Sequence, residues 1–505
     1  MLKKEILILI LLLFISYFPI FLHLDALSIR MWDEARPAVS ALEMATGEAS
    51  LENWLVLHFN GQPDLYFTKP PFLIWIQAIC MKIFGFNELA VRLPVALASL
   101  GTVFLLFYFG KTIFNNLKIG LLSGVVLLTI HGYIDGHVAR TGDVDGFMIF
   151  WVTLYSLFYF KYLHADEPKK KSRYLLVITI GMIGAVLTKG VGGLLVLPGL
   201  LFYTIIQKKL KQVISSKQFY TAVSLFFLFT LGYYLLREYY NPGYLNAVYN
   251  NELGGRYVET IETHKHGFFF YFKNLFSSTG SLNIEPRFLP WVFYLPFCIA
   301  INYFHSNKLA KQFTLMGVIF LISHLLLISF AQTKIKWYDA PIYPIASIVL
   351  GIALERFYIG IIRYMKVPDR LKYIMFALFM LLVFGAPYVH IIEKVYRPSD
   401  SWDKLQYGYY LKEMAQKKPD LKKYTVSDHG YNAHLLFYNK VLNIKKKHEI
   451  KIDDDADLEF TDGEIVVTCM QNRMPEIEKK YNYEIIYSSN RCKTYRIIEK
   501  NKDGL

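Results

Sequence analysis

Asp33, Glu34 and Arg36 stand together just after a long apolar run, and Lys69 directly precedes two prolines further on. Polar residues that look equally out of place recur at later breaks between apolar runs: Arg140, Asp143 and Asp145; Lys189; Glu252 and Arg256; His264 and His266; Lys334, Lys336 and Tyr338. A carboxylate can serve as a general base or a metal ligand, and Lys, Arg and Tyr can clamp a phosphate. Ionisable groups at or just inside a bilayer are costly and usually mark a site. Both kinds together suggest chemistry on a phosphate-bearing molecule. Each piece also has a plainer reading. Asp33-Glu34 and Asp145 could cap helix N-termini, Lys69 could snorkel at a loop end, and Lys189-Gly190 could be a simple turn. His264 and His266, in a loop, suit solvent more often than a metal.

The elements that must position these groups are membrane helices. The chain has 505 residues, 54% of them hydrophobic and only 19% charged, where a soluble protein carries about a quarter charged. The runs 119–130, 147–160 and 375–384 hold no charge at all. This composition excludes an all-soluble enzyme and a disordered or collagen-like chain. The net charge of +14 comes from lysines spread between apolar runs, which fits membrane topology and not nucleic-acid binding. The expected fold is mainly α, a polytopic helical domain over 1–392 with a small C-terminal α/β domain over 393–505. About eleven spans are expected, near 6–24, 92–110, 119–137, 143–162, 174–188, 191–206, 218–236, 288–304, 313–330, 339–357 and 373–392. The first reads as an uncleaved anchor.

The stretch 71–86 is apolar but short, and it opens on two prolines. Loop charges decide its placement. If it lies along the membrane surface, the basic loops at 111–118, 169–173, 208–217, 308–311 and 363–372 share one side with Lys3 and Lys4, which marks the cytoplasm of a bacterial inner membrane. The polar residues above and the C-terminal domain then face the periplasm or exterior.

In the C-terminal region the segments 424–427, 464–469, 483–487 and 494–498 read as strands, and 403–415 and 475–481 as helices. Cys469 ends one strand and Cys492 begins another. Two adjacent strand ends can bring Cα atoms within disulfide range, and an oxidising compartment would let the thiols bridge. Two unpaired, partly buried thiols are the equal alternative.

Taken in order, these pieces resemble the glycosyltransferase C superfamily, in the branch of aminoarabinose transferases and protein O-mannosyltransferases. The resemblance rests on Trp32-Asp33-Glu34-Ala35-Arg36, Met44, Gly47, Gly61, Tyr66-Phe67-Thr68-Lys69-Pro70-Pro71, Trp75, Phe84-Gly85 and Arg92-Leu93-Pro94. It continues through Ala139-Arg140 to Asp145, Leu187-Thr188-Lys189-Gly190, Pro290-Trp291 and Lys336-Trp337-Tyr338 with Pro341 and Pro344. It runs to about residue 357, and more weakly beyond.

The resemblance implies transfer of a sugar from a polyprenyl-phosphate donor to a lipid, glycan or protein acceptor, by single displacement with inversion. It implies Asp33, with Glu34 and Asp145, as the acidic catalytic set, and Asp143 as a substitute for Asp145. Arg36, Tyr66, Lys69, Arg256 and Tyr338 match positions around the lipid phosphate. Whether a divalent cation joins them is open, as are the sugar and the acceptor. One departure stands out: the aminoarabinose transferases have Glu immediately before the Lys-Pro pair, and this chain has Thr68. The competing class is a non-enzymatic lipid flippase or transporter, whose polar groups would sit near the bilayer midplane in repeated halves.

Overall fold

The computed structural model describes residues 2–134, 137–255, 265–276, 287–396, 402–454 and 458–501. Arg256 and His264, two of the residues singled out by sequence, lie outside them.

Each expected span coincides with a helix. Among the described residues eight are long and apolar enough to cross a membrane: Lys4–Phe21, Glu88–Ile113, Val144–His164, Pro168–Leu194, Lys217–Tyr240, Lys308–Phe330, Ile342–Tyr364 and Asp369–Tyr396. Three expected spans are shorter helices, Leu117–Leu128, Leu197–Ile206 and Trp291–His305. The starts are written in the sequence. Asn87, Asn116, Ser216 and Asn307 each accept a hydrogen bond from a first-turn backbone N–H, satisfying donors that have no partner within the helix. Helix Leu117–Leu128 packs against Glu88–Ile113 so closely that a Cβ on Gly120 would lie 2.5 Å from the Phe107 carbonyl oxygen. Small residues permit such approach where no water drives association.

The expected span 119–137 is too long. Its helix ends at Leu128, and a separate turn of helix covers His131–Ile134. The Thr129 hydroxyl bonds back to Val125 and Val126 and accepts from the Trp291 indole. Gly132 then exchanges backbone and side-chain bonds with Arg287. These partners take the chain out of the helix and free the next residues to form a site.

The stretch expected along the surface is helix Phe72–Phe84, only 13 residues long. It packs with helices Ala35–Thr46 and Glu88–Ile113. A short hairpin, β1 (His58–Phe59) and β2 (Gln62–Pro63), carries the chain between them.

The C-terminal region holds a five-stranded sheet of β3 (Lys423–Ser427), β4 (Glu449–Asp453), β5 (Ile465–Thr468), β6 (Tyr481–Ser489) and β7 (Cys492–Lys500), in the order β4-β3-β5-β7-β6. β3 runs parallel to β4 and β5, and β7 antiparallel to β5 and β6. Helices Asp403–Lys417 and Arg473–Lys480 lie where expected. Helix Ala433–Lys446 and β4 were not anticipated; they form the parallel crossover from β3. Cys469 and Cys492 form the disulfide. The core of this region is continuous with the 29–91 segment: Tyr407, Tyr410, Leu435 and Tyr438 share a buried cluster with Ile29, Ala38, Leu42 and Ile74. The segment that carries Asp33 is therefore held between the membrane helices and the sheet domain.

Candidate active site

Asp33 and Glu34 are neighbours with opposite environments. Glu34 is buried at the N-terminus of helix Ala35–Thr46 and does not cap it. One carboxylate oxygen accepts from Arg92 Nε at 2.7 Å and the Gly142 N–H at 2.8 Å; the other accepts from Arg92 Nη2 at 2.9 Å and the Arg30 N–H at 2.8 Å. Burial alone would raise the Glu34 pKa, but Arg92 and these hydrogen bonds outweigh it and lower it. Arg92 in turn donates to the carbonyls of Leu24, Leu27 and Ser28. Four bonds occupy the Glu34 oxygens, so this carboxylate works as a brace. Gly142 must lie flat against it: a Cβ there would fall 2.5 Å from Val91 Cγ1 and 2.9 Å from Gln77 Nε2.

Asp33, by contrast, is exposed, and its carboxylate lies 3.6 Å from His137 Nδ1. His137 Nδ1 is also 2.8 Å from Asp143. The imidazole stacks flat on Trp337, with centroids 3.5 Å apart and planes 4° from parallel. It sits on a left-handed residue, φ 69°, a conformation that costs about a kcal/mol or more and is retained where surrounding contacts impose it. Burial would lower the His137 pKa, but the Asp143 hydrogen bond and the charges of Asp143, Asp33 and Asp145 raise it. Burial, aided by Asp145 and Asp33, pushes Asp143 up to about 7 against the pull of His137. Asp143 also caps helix Val144–His164, accepting from the Asp145 N–H.

The two acidic residues of the 143–145 pair thus diverge. Asp143 joins Asp33, and Asp145 pairs with the buried Lys189. Lys189 Nζ lies over the Tyr338 ring, 4.0 Å from its centroid. Asp145, Lys189, Glu252, His324 and Tyr338 line one pocket together with Met148, Leu195, Ile328 and Pro341. A lining that mixes polar and apolar side chains suits a phosphate on a lipid chain.

Two expected phosphate ligands are held by carboxylates. Lys69 Nζ is 2.6 Å from Glu252, which also accepts from the Thr68 hydroxyl at 2.9 Å. A carboxylate therefore does stand beside Thr68, supplied from a segment far along the chain. Arg36 makes a bidentate pair with Asp64, both bonds 2.8 Å, between the rings of Phe59 and Tyr66. Asp64 further accepts from the N–H groups of Tyr66 and Phe67. Arg237 donates to the Asp64 carbonyl and Tyr244 to the Thr68 carbonyl, so the loop reaching Lys69 is tied at both ends. Tyr66 itself is exposed.

Asp33, His137 and Asp143 are the one group of three possible metal ligands among the described residues, with ligand atoms within 4.8 Å of one another. Two carboxylates and an imidazole fit a divalent cation of the Mn²⁺ or Zn²⁺ type. His137 was missed from sequence because an overlong span absorbed it. The interruption of the apolar run by Gly132, Asp135 and Gly136 was the signal available.

The family of dolichyl-phosphate-mannose-protein mannosyltransferases matches residues 68–234. An uncharacterized protein of Aquifex aeolicus is 26% identical over 352 residues, covering 69% of this chain and 63% of that protein. An undecaprenyl phosphate-alpha-4-amino-4-deoxy-L-arabinose arabinosyl transferase of an Enterobacter species is 25% identical over 323 residues, covering 63% and 54%. The chain thus spans less than two thirds of the length of these relatives. The crystal structure of ArnT from Cupriavidus metallidurans bound to undecaprenyl phosphate superposes with a TM-score of 0.69 over 98% of both chains, at 17% identity. The chain has the fold of that ArnT. A second structure of similar fold, the archaeal oligosaccharyltransferase AglB from Archaeoglobus fulgidus, gives a TM-score of 0.54 over 98% of this chain and 74% of its own, at 11% identity. The fold shared with that ArnT therefore extends through the C-terminal sheet domain, where the sequence resemblance was weak.

Proposed function

We propose that this chain is a membrane glycosyltransferase that takes a sugar from a polyprenyl-phosphate donor and passes it to a lipid, glycan or protein acceptor on the outer face of a bacterial inner membrane. The observation that carries this reading is one pocket that brings Lys189, Tyr338, Asp145 and Glu252 together with the apolar Met148, Leu195, Ile328 and Pro341, near the Asp33–His137–Asp143 group. Asp33 is the exposed carboxylate of that group and can reach an incoming hydroxyl, orienting it and drawing its proton as it attacks the anomeric carbon. His137, hydrogen-bonded to Asp143 and stacked on Trp337, holds the opposite side of Asp33. Negative charge grows on the departing lipid phosphate, and fixed cations stabilise it most where water is excluded. Lys189, Lys69 and Tyr338 would take that role. Asp145 and Glu252 keep the two lysines aligned until the phosphate arrives. A divalent cation held by Asp33, His137 and Asp143 would add positive charge at the same place. One displacement needs no covalent enzyme intermediate and inverts the anomeric centre.

The test is release of free polyprenyl phosphate from a sugar-loaded polyprenyl phosphate by the purified chain, scored with and without candidate lipid, glycan and protein acceptors. Release that requires an acceptor supports the reading. Transbilayer movement of the donor without sugar transfer would support a flippase instead.

A further inference from the structure

His324 belongs to helix Lys308–Phe330 and is only 2% exposed. With Ile328, one turn further along the same helix face, it lines the pocket that holds Lys189 and Tyr338. The imidazole Nε2 lies 2.9 Å from the backbone carbonyl oxygen of Tyr338. A carbonyl oxygen only accepts, so Nε2 carries the proton and donates it. In the neutral ring Nδ1 is then an acceptor, and among the described residues it has no hydrogen-bond partner. A buried acceptor left without a donor is costly and rare in folded proteins. A ligand that fills the pocket can supply the missing donor.

What that ligand must offer follows from its chemistry. Under the proposed function the pocket takes a sugar-loaded polyprenyl phosphate. Its phosphodiester is ionised and carries no proton, and its hydrocarbon chain has no polar hydrogen. The hydroxyl or amino groups of the sugar are therefore its hydrogen-bond donors. The bare polyprenyl phosphate left after transfer has lost them, and its phosphate is mostly ionised at neutral pH. The position of His324 suits this task. It holds the backbone of Tyr338, whose ring centroid lies 4.0 Å from Lys189 Nζ, and those two side chains are the ones proposed for the phosphate. The sugar is bonded directly to that phosphate, so its nearest substituents fall beside the same residues.

We propose that His324 is a specificity residue of the donor site: its Nδ1 accepts a hydrogen bond from a hydroxyl or amino group of the donor sugar and so separates loaded donor from spent carrier. The inference rests on the donor reading of this pocket and assigns the side chain that reads the sugar. It also bears on turnover. Transfer removes the sugar, the hydrogen bond is lost with it, and exchange of spent carrier for fresh donor is favoured.

The experiment measures, without acceptor, the retention of undecaprenyl phosphate and of its glucosyl, glucosaminyl, mannosyl and arabinosyl phosphodiesters by the full-length protein in detergent, using native mass spectrometry. For the phosphodiester that the wild type holds best, the ratio of loaded to bare affinity should fall about tenfold in His324→Phe, the worth of one hydrogen bond to a buried acceptor. His324→Asn places an amide oxygen near the Nδ1 position and should keep part of the ratio. Deoxy analogues of the preferred sugar need no change in the pocket: one of them should bind the wild type about tenfold more weakly than its parent and bind His324→Phe equally well, as coupled partners do. An unchanged ratio in His324→Phe would overturn the proposal, whether neither lipid weakens or both weaken together. Weakening together is what a residue that only props Tyr338, or a charged imidazole bound to the phosphate, would give. The absence of any sensitive deoxy position, or a wild type that retains none of the phosphodiesters, would overturn it as well. Acceptor-dependent release of polyprenyl phosphate tests the transferase reading separately, so a transferase with an unchanged ratio loses this inference alone.

Discussion

The indole of Trp32 lies flat on the ring of Tyr431, centroids 3.8 Å apart and planes 5° from parallel. Trp32 directly precedes Asp33, and Tyr431 belongs to the loop between β3 and helix Ala433–Lys446 of the sheet domain. The preceding residues are held from the same side: the Tyr409 hydroxyl accepts from the Ser28 N–H and the Tyr438 hydroxyl from the Ile29 N–H. Tyr438 also donates to Glu88, which pairs with Lys412. The sheet domain therefore sets where the proposed base stands.

Tyr431→Ala should lower kcat by about 100-fold, the cost of a small misplacement of a reacting group, while leaving the melting temperature nearly unchanged. Tyr431→Phe keeps the stacking surface and should retain most activity. Steady-state kinetics on the two variants check this; equal kcat for Tyr431→Ala and wild type would break the link between the sheet domain and Asp33.

Asp33 and Glu34 should fail in different ways. Asp33→Asn should insert and fold normally and lose at least about 100-fold in turnover. Glu34→Ala leaves the Arg92 guanidinium buried without its carboxylate and should cost about 3–5 kcal/mol of stability, seen as a lower melting temperature or loss of folded protein. A folded, active Glu34→Ala would contradict the bracing role, and wild-type turnover in Asp33→Asn would remove the proposed base.

Lys69→Ala and Tyr338→Phe should weaken donor binding more than they change acceptor preference, because both residues border the proposed phosphate site. Apparent donor affinity measured at saturating acceptor, beside acceptor KM, separates the two effects. An unchanged donor affinity in both variants would count against the phosphate clamp.

The four cysteines divide two and two. Cys80 and Cys298 are free and buried, whereas Cys469 and Cys492 are bonded. Alkylation of denatured, unreduced protein from an oxidising compartment should modify only Cys80 and Cys298, and prior reduction should expose all four, read by peptide mass spectrometry. Alkylation of Cys469 and Cys492 without reduction would show that the bridge does not form and would weaken the external placement of the sheet domain.

The sequence alone determined the places of the membrane helices, the sheet strands around Cys469 and Cys492 and the residues worth suspecting. Hydropathy, caps and strand alternation act over a few neighbouring residues, so each is written where it operates. The partners of those residues were decided by the tertiary structure. Nothing local distinguishes Asp33 from Glu34, yet folding buries one against Arg92 and leaves the other exposed beside His137. Nothing local separates Asp143 from Asp145, but the helix start turns the first toward His137 and the second toward Lys189. Thr68 carries no charge, and its carboxylate arrives as Glu252, 184 positions later. Arg36 and Lys69 read as waiting phosphate ligands until packing supplies Asp64 and Glu252. A charge in a low-dielectric setting takes whichever opposite charge the fold brings within reach, and that choice depends on contacts between segments far apart in the chain.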